Sequence, residues 1–219
     1  MKKILPYETR QTTSTNSIPR VEPVDLGLSV KWANANLGAV APDRFGEYFA
    51  WGEIEPKSYY SWATYKWCKG DPKTLTKYCF KAEYGTLDRN TWWLDMDDDA
   101  ARFVLGGKWR VPNRENWNEL RHDCSWTWTS INGVSGYQVA SKIPGFTDKG
   151  IFLPAAGYRE DSYHNEVCSR GFYWSSSLYQ FNMPYNRPDQ ALCVNFDSHV
   201  LRMITDDRML GFSIRPIMD

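Results

Sequence analysis

The residues able to do covalent chemistry are few, and their spacing does not assemble a catalyst. Three histidines, His122, His164 and His199, are dispersed along the chain. Ser175-Ser176-Ser177 follows Trp174 instead of occupying the G-x-S-x-G turn that exposes a hydrolase nucleophile, so a serine triad has no local support. Neither a Walker A nor a G-x-G-x-x-G loop is present to cradle phosphates. The five cysteines, Cys68, Cys79, Cys124, Cys168 and Cys193, are odd in number and contain no C-x-x-C pair of the zinc or redox type. They read as buried free thiols, with Cys68 and Cys79 the pair whose loop is short enough to close. Asp95, Asp97, Asp98 and Asp99 are the best candidate cation site. They directly precede Ala100–Leu105, however, and so read as a solvated helix start more than as the six to eight oxygens a calcium ion needs. Nothing selects a catalytic pair from the many carboxylates. The expectation is a protein that is not an enzyme and carries neither metal nor cofactor.

Contact chemistry is better supported. Tyr179, Phe181 and Tyr185 sit among Asn, Pro and Arg neighbours, and Asn195–His199 can point Phe196 inward with Asp197 and His199 outward. Stiff aromatic rings and arginines among small polar residues have the composition of a paratope, where ring area is gained at low entropic cost. Trp174, Phe196, Phe212 and Ile214 read as core, and Arg215, beside Pro216, as the donor of an ion pair or of carbonyl contacts.

The elements that must position these residues follow from composition and pattern. A chain of 219 residues forms one domain, or one domain with a tail, and is long enough to bury a core without metal or disulfide. Lys+Arg and Asp+Glu both number 26, and this balance argues against a nucleic-acid partner, which calls for a basic excess. Mean hydropathy is −0.57, and no apolar run approaches the ~20 residues of a membrane helix, so direct membrane insertion is not expected. Met1-Lys2-Lys3-Ile4-Leu5 begins like an export signal, but Pro6 follows before an apolar stretch develops. The reading is therefore cytoplasmic at synthesis, or cell-surface if a native leader is missing.

Residues 1–22 are polar and lack an apolar face, and read as a flexible arm. The folded domain spans 23–219. Asp25–Trp32 and Phe45–Trp51 read as strands, and 53–94 as a long insertion packed by its own aromatic rings. Two short helices are expected, one over Ala100–Leu105 stopped by Gly106-Gly107, the other beginning after Asn113 with Trp117, Leu120 and Cys124 on one face. Short strands follow at Tyr137–Ser141, Ile151–Leu153, Gly157-Tyr158, Phe172–Ser176, Ala191–Phe196 and Phe212–Ile217. This is an α+β pattern.

Six segments in order carry a resemblance. Asp25–Ala33, Gly46–Glu53, Gly107–Pro112, Ile151–Arg159, Tyr173–Ser177 and Gly211–Ile217 look like motifs of the major paralogous domain of Bacteroidetes and Fibrobacter proteins, over residue 24 to the C-terminus. That group resembles the formylglycine-generating-enzyme-like branch of the C-type lectin fold. The resemblance implies a C-type lectin-like α+β domain with short antiparallel strands, two short helices and long aromatic-rich loops.

In many members the stretch before the Arg-Pro-Ile motif, here 178–210, is varied by a diversity-generating retroelement. Template adenines are replaced there, so Asn codons scatter into residues other than Lys, Glu, Gln, Met and Trp. Residues 178–210 contain no Lys, Glu or Trp, while Gln180, Met183, Gln190, Met203 and Met209 would be fixed positions. The implied ligand-binding residues are Tyr179, Phe181, Tyr185, Asn186, Arg187, Asp189, Asp197, His199, Arg202, Ile204, Asp206 and Leu210. The implied partner is a protein or glycan receptor on a cell surface, met by a phage or prophage receptor-binding protein that is virion-associated and open to homo-oligomerisation. The alternative is a surface-anchored bacterial paralogue with a structural or glycan-binding role. Of the calcium-lectin loop motifs only Arg187-Pro188-Asp189 has a counterpart, and Trp-Asn-Asp is missing. Related formylglycine-generating enzymes act through late cysteines. Cys193, the one thiol near a comparable place, lies in an apolar strand-like run and reads as inert.

Overall fold

The computed structural model describes residues 21–88, 92–178 and 186–219. Most of the expected arm, and Tyr179, Phe181 and Tyr185, lie outside the described residues. Strands β1 (Pro23–Val24) and β2 (Lys31–Ala33) come first, followed after a long irregular stretch by helix α1 (Ala100–Leu105), β3 (Trp109–Arg110) and helix α2 (Arg114–Asp123). Then come β4 (Cys124–Ile131), β5 (Val134–Ser141), β6 (Gly150–Pro154), β7 (Tyr158–Glu160), β8 (Tyr163–Asn165) and β9 (Gly171–Trp174). β10 (Gln190–Phe196), β11 (Leu201–Asp207) and β12 (Ile217–Met218) complete the order. The sheets are small and antiparallel: β1-β2-β12-β3, β11-β10-β9, β4-β5-β6 and the hairpin β7-β8. The class is α+β.

Both helices start where their caps place them. The Asp99 side chain accepts from Arg102 N, and α1 ends at Gly106 with φ 68°, a conformation that favours glycine. The Asn113 side chain accepts from Asn116 N at 2.9 Å, and the Asn116 side chain accepts from Asn113 N at 3.1 Å, so two end donors are satisfied reciprocally. The buried face of α2 carries Trp117 and Leu120, and the Trp117 ring meets Trp32 at 4.8 Å.

The β11-β10-β9 sheet separates two apolar clusters. Phe172, Trp174, Ala191 and Cys193 face one, with Phe49, Trp51 and Phe212. Tyr173, Val194 and Phe196 face the other, with Trp117, Tyr137 and Leu153. Alternation along β9 and β10 therefore buries both faces, which is why neither strand shows a polar side. Phe196 lies against Gly171, where an added Cβ would come within 2.1 Å of the Phe196 ring. Trp174 stacks on Phe212 at 4.2 Å, and its indole N–H donates to Phe49 O at 2.7 Å.

Several expected strands are corrected. Asp25–Trp32 is mostly a turn between β1 and β2, in which Asp25 Oδ1 accepts from Gly27 N. Phe45–Trp51 is irregular chain, buried from Tyr48 onward, carrying one bridge, Phe49 to Phe212. Its Glu47 N–H donates to Leu37 O, while Phe49 and Trp51 N–H donate to Phe212 and Arg208 O, carbonyls four residues apart where a ladder needs two, so no ladder forms. Within 53–88, the described helical pieces are single 3-10 turns, Trp62–Thr64 and Ala82–Tyr84. The rings there pack, but into the domain core and not only on one another: Tyr60, Tyr65 and Tyr78 join the first cluster, and Tyr78 meets the Trp51 ring at 4.9 Å.

Arg208 ties this segment to the end of β11. Fully buried, it donates from Nε to Tyr65 Oη at 2.8 Å and from Nη1 to Pro188 O at 2.8 Å, and lies over the Trp51 ring. Arg215 is equally buried and donates to Asn36 Oδ1, Ala33 O and Phe152 O, so carbonyl contacts replace an ion pair. Burial pushes the guanidinium of Arg215 down to about 10. Cys79, Cys124 and Cys193 are buried free thiols, Cys68 is half-buried, and Cys168 is exposed, against the expectation for that residue. Among the described residues no helix is long and apolar enough to cross a membrane.

Candidate ligand-binding face

β11 lies at the edge of its sheet, and its period of two sorts its side chains. Leu201 and Met203 pack on the second cluster, while Ile204 packs on the first. The register pairs Arg202 with Asn195, Ile204 with Cys193 and Asp206 with Ala191, so Arg202, Ile204 and Asp206 extend the β10 face that is fully buried further in. At the edge this face opens into a cavity of about 470 Å³. Phe172, Met209 and Leu210 give it an apolar lining, and the opposing rim comes from Tyr158 and Glu160 on β7 and from Glu166 and Arg170 before β9.

The electrostatics are mixed. Arg170 pairs with Glu166 at 3.3 Å and with Asp197 at 3.6 Å. Asp206 accepts from Asp207 N, yet burial, with the nearby Asp207 and Glu160 carboxylates, pushes its carboxyl up to about 6. Burial also raises Asp207, which accepts from Gln190 Nε2. Six of the lining residues, Glu160, Glu166, Arg170, Arg202, Asp206 and Asp207, are charged, so the cavity is a small apolar floor under a charged rim, suited to a polar ligand or anchor side chain.

Against that geometry the expected residues separate. Arg202, Ile204, Asp206 and Leu210 line the cavity, Leu210 from within the core at 7% exposure. Asp197 forms the β10–β11 turn: its Oδ1 accepts from His199 N and Val200 N, and these bonds hold its carboxyl below the usual range. His199 is exposed on that turn, with Ser198 Oγ 2.8 Å from its Nδ1. Asn186 is half-buried and Arg187 exposed. Asp189 is not displayed: it is 1% exposed and carries a bidentate pair with Arg187. An inward carboxylate beside Pro188 is held there because its own loop supplies the guanidinium.

No family model, curated protein or solved structure matches the chain.

Glu160, Glu166 and Arg170 are cavity residues that the sequence reading missed. The β7–β8 hairpin that carries Glu160 turns at Asp161, whose φ is 51°, and the pair of three-residue strands around Asp161-Ser162 was the available signal. Elsewhere the reactive residues have structural partners. His164 Nε2 lies 2.6 Å from Tyr48 Oη and 2.9 Å from Ala156 O, and burial lowers its pKa. Ser175, Ser176 and Ser177 are buried, and Ser177 Oγ accepts from Arg114 N. Asp98 accepts from Tyr78 Oη at 2.5 Å and pairs with Lys77, which also pairs with Asp95, while Asp99 caps α1. Among the described residues no group of three His, Cys, Asp or Glu is placed to hold a metal ion.

Proposed function

We propose that the chain is a non-enzymatic ligand-binding protein whose recognition face centres on β11 and the cavity beside it. The supporting observation is that Arg202, Ile204 and Asp206, alternate residues of β11, open into one cavity, joined at the strand end by Asp207, while Leu201 and Met203 on the other face hold the strand to the core. On such a face Ile204, packed on the first cluster, and half-buried Asp206 are more constrained, while an exposed position such as Arg202 can change residue type without disturbing the sheet beneath it. That is what a diversified surface requires, and these positions belong to the segment expected to vary. The scaffold, in this reading, is C-type-lectin-like. The small antiparallel sheets, the pairing of β2 with β12 near the two ends of the domain and the ring-packed insertion support it. The partner is a protein or glycan receptor on a cell surface, and the protein serves as a retroelement-diversified receptor-binding protein of a phage or prophage.

The neighbouring DNA tests this directly. A reverse-transcriptase gene beside a near-copy of the codons for 178–210, with adenines at the differing sites, is the expected result. If sequencing the locus finds neither, the diversified reading fails and the surface-anchored paralogue replaces it.

A further inference from the structure

A second cavity of about 470 Å³ shares no lining residue with the one beside β11. One wall is the segment 92–94, held by backbone pairing to the continuation of β9: Leu94 N donates to Ser176 O and Leu178 N to Trp92 O, both at 2.9 Å. The facing wall, Val111 to Asn113, is fixed by Val111 N on Asp99 Oδ2 at 2.8 Å and by Ser176 N on Pro112 O at 2.8 Å. The lining is therefore set by backbone bonds on both sides, although its rim carries large apolar side chains in the open. Trp93 is 54% exposed and Met96 69% exposed. Leu94 and Val111 continue the apolar surface inward.

The charges on this lining do not cancel. Arg110 donates to Asp219 from Nε and Nη2 and to Asn116 from Nη1, which neutralises both ions. Asp99 has both oxygens engaged by backbone N–H groups of Arg102 and Val111, and burial raises its pKa. Arg102 and Lys108 remain. Both are exposed and line the cavity; among the described residues neither side chain makes a hydrogen bond or an ion pair, and Lys108 acts on the Asp219 carboxylate only from beyond ion-pair distance. Beside Lys108, Gly107 presents backbone with open space where a Cβ would stand, so approach from that side is unobstructed.

We propose that this cavity is a separate ligand site for a carboxylate borne on a six-membered ring, with the ring against Trp93 and the carboxylate between Arg102 and Lys108. An indole face held out on a fixed backbone offers contact area to an aromatic ring or to the C–H face of a pyranose, and a carboxylate is the acceptor that an unpaired guanidinium and ammonium bind best. Acidic sugars and aromatic acids share this chemistry. The site does not depend on the role of β11.

Protein-observed NMR on the intact chain tests the assignment, with benzoate and D-glucuronate as ring carboxylates and benzyl alcohol and D-glucose as their neutral counterparts. The expected result is saturable shifts at Trp93 Nε1–H and at the amides of Arg102 and Lys108, at millimolar or lower concentration, with at least one carboxylate and with about tenfold weaker response to its neutral counterpart. Response to benzoate alone assigns an aromatic acid, to glucuronate alone an acidic sugar, and to both the shared chemistry. The double variant R102Q/K108Q should bind the carboxylate at least about tenfold more weakly while its spectrum elsewhere shows the parent fold. Trp93→Ala should weaken both the charged and the neutral probe. The proposal is overturned if neither carboxylate shifts these signals at 20 mM, if the neutral rings bind as well, or if the double variant binds as the parent does.

Discussion

β10 and β11 are each seven residues long and pair along their whole length, yet they have opposite relations to solvent. From Ala191 to Phe196 every residue of β10 is buried, whereas β11 is half-buried at most positions and exposed at Arg202. The cause is coverage. β10 is central, with β9 and β11 on its flanks and a cluster on each face; β11 has a free edge, and one of its faces meets a cavity. Exposure is therefore a property of the edge strand and its turn, not of the C-terminal segment as a whole. Asp189 and Leu210, which flank β10 and β11, are buried.

The largest effect that would sharpen this contrast is expected on the central side. Trp174→Ala and Phe196→Ala each leave a cavity in a fully enclosed cluster and should cost ~3–5 kcal/mol, read by chemical denaturation. A cost below ~1 kcal/mol at both would break the comparison.

Asp206 gives a smaller effect with a sign. Its folded-state pKa of about 6 lies above the usual 3.8, so the folded state holds this proton more tightly than the unfolded chain. The stability this contributes is complete below ~pH 4 and is lost as pH rises through about 6. Asp206→Asn removes the charged form and should stabilise the protein by roughly 1–3 kcal/mol at pH 7.5 and not at pH 4. Denaturation curves at the two pH values check this, and equal effects at both would show that the carboxyl is not held as described.

Smaller still are the open positions. His199→Ser and Arg202→Ser should each change stability by no more than about 0.5 kcal/mol. Smallest of all, EDTA or a thiol reductant should move the thermal midpoint by less than ~2 °C, because the described carboxylates and thiols have protein partners or stand alone. A larger drop with chelator would reveal a metal site, and one with reductant would implicate Cys68 and Cys79.

The two helices were legible because their signals are local. Asn113 before α2, Asp99 before α1 and Gly106 after it act within four residues. β4 was missed although Ser125-Trp126-Thr127-Trp128-Thr129 alternates and Asn132-Gly133 is a strong hairpin turn, both residues having positive φ. Reading Cys124 as the next step on the α2 face obscured it, since Leu120 and Cys124 do stand four apart. β11 was hidden for a different reason. Leu201, Met203 and Ile204 are apolar on both sides of the strand because both sides touch a cluster, which erases the alternation that marks an edge. The cavity itself could not be read from sequence, because Glu160 and Asp206 are brought together only by the packing of the β7–β8 hairpin against another sheet.

The central claim is that the recognition face resides on one side of β11 while β10 is scaffold. A scan of all substitutions at 190–207, displayed on cells and sorted by resistance to protease, tests it without knowing the ligand. The account predicts tolerance at His199 and Arg202, intermediate tolerance at Ile204 and at Asp206, and intolerance at Leu192, Cys193, Val194 and Phe196. If His199, Arg202 and Asp206 prove as intolerant as the β10 positions, β11 is structural and the account is contradicted.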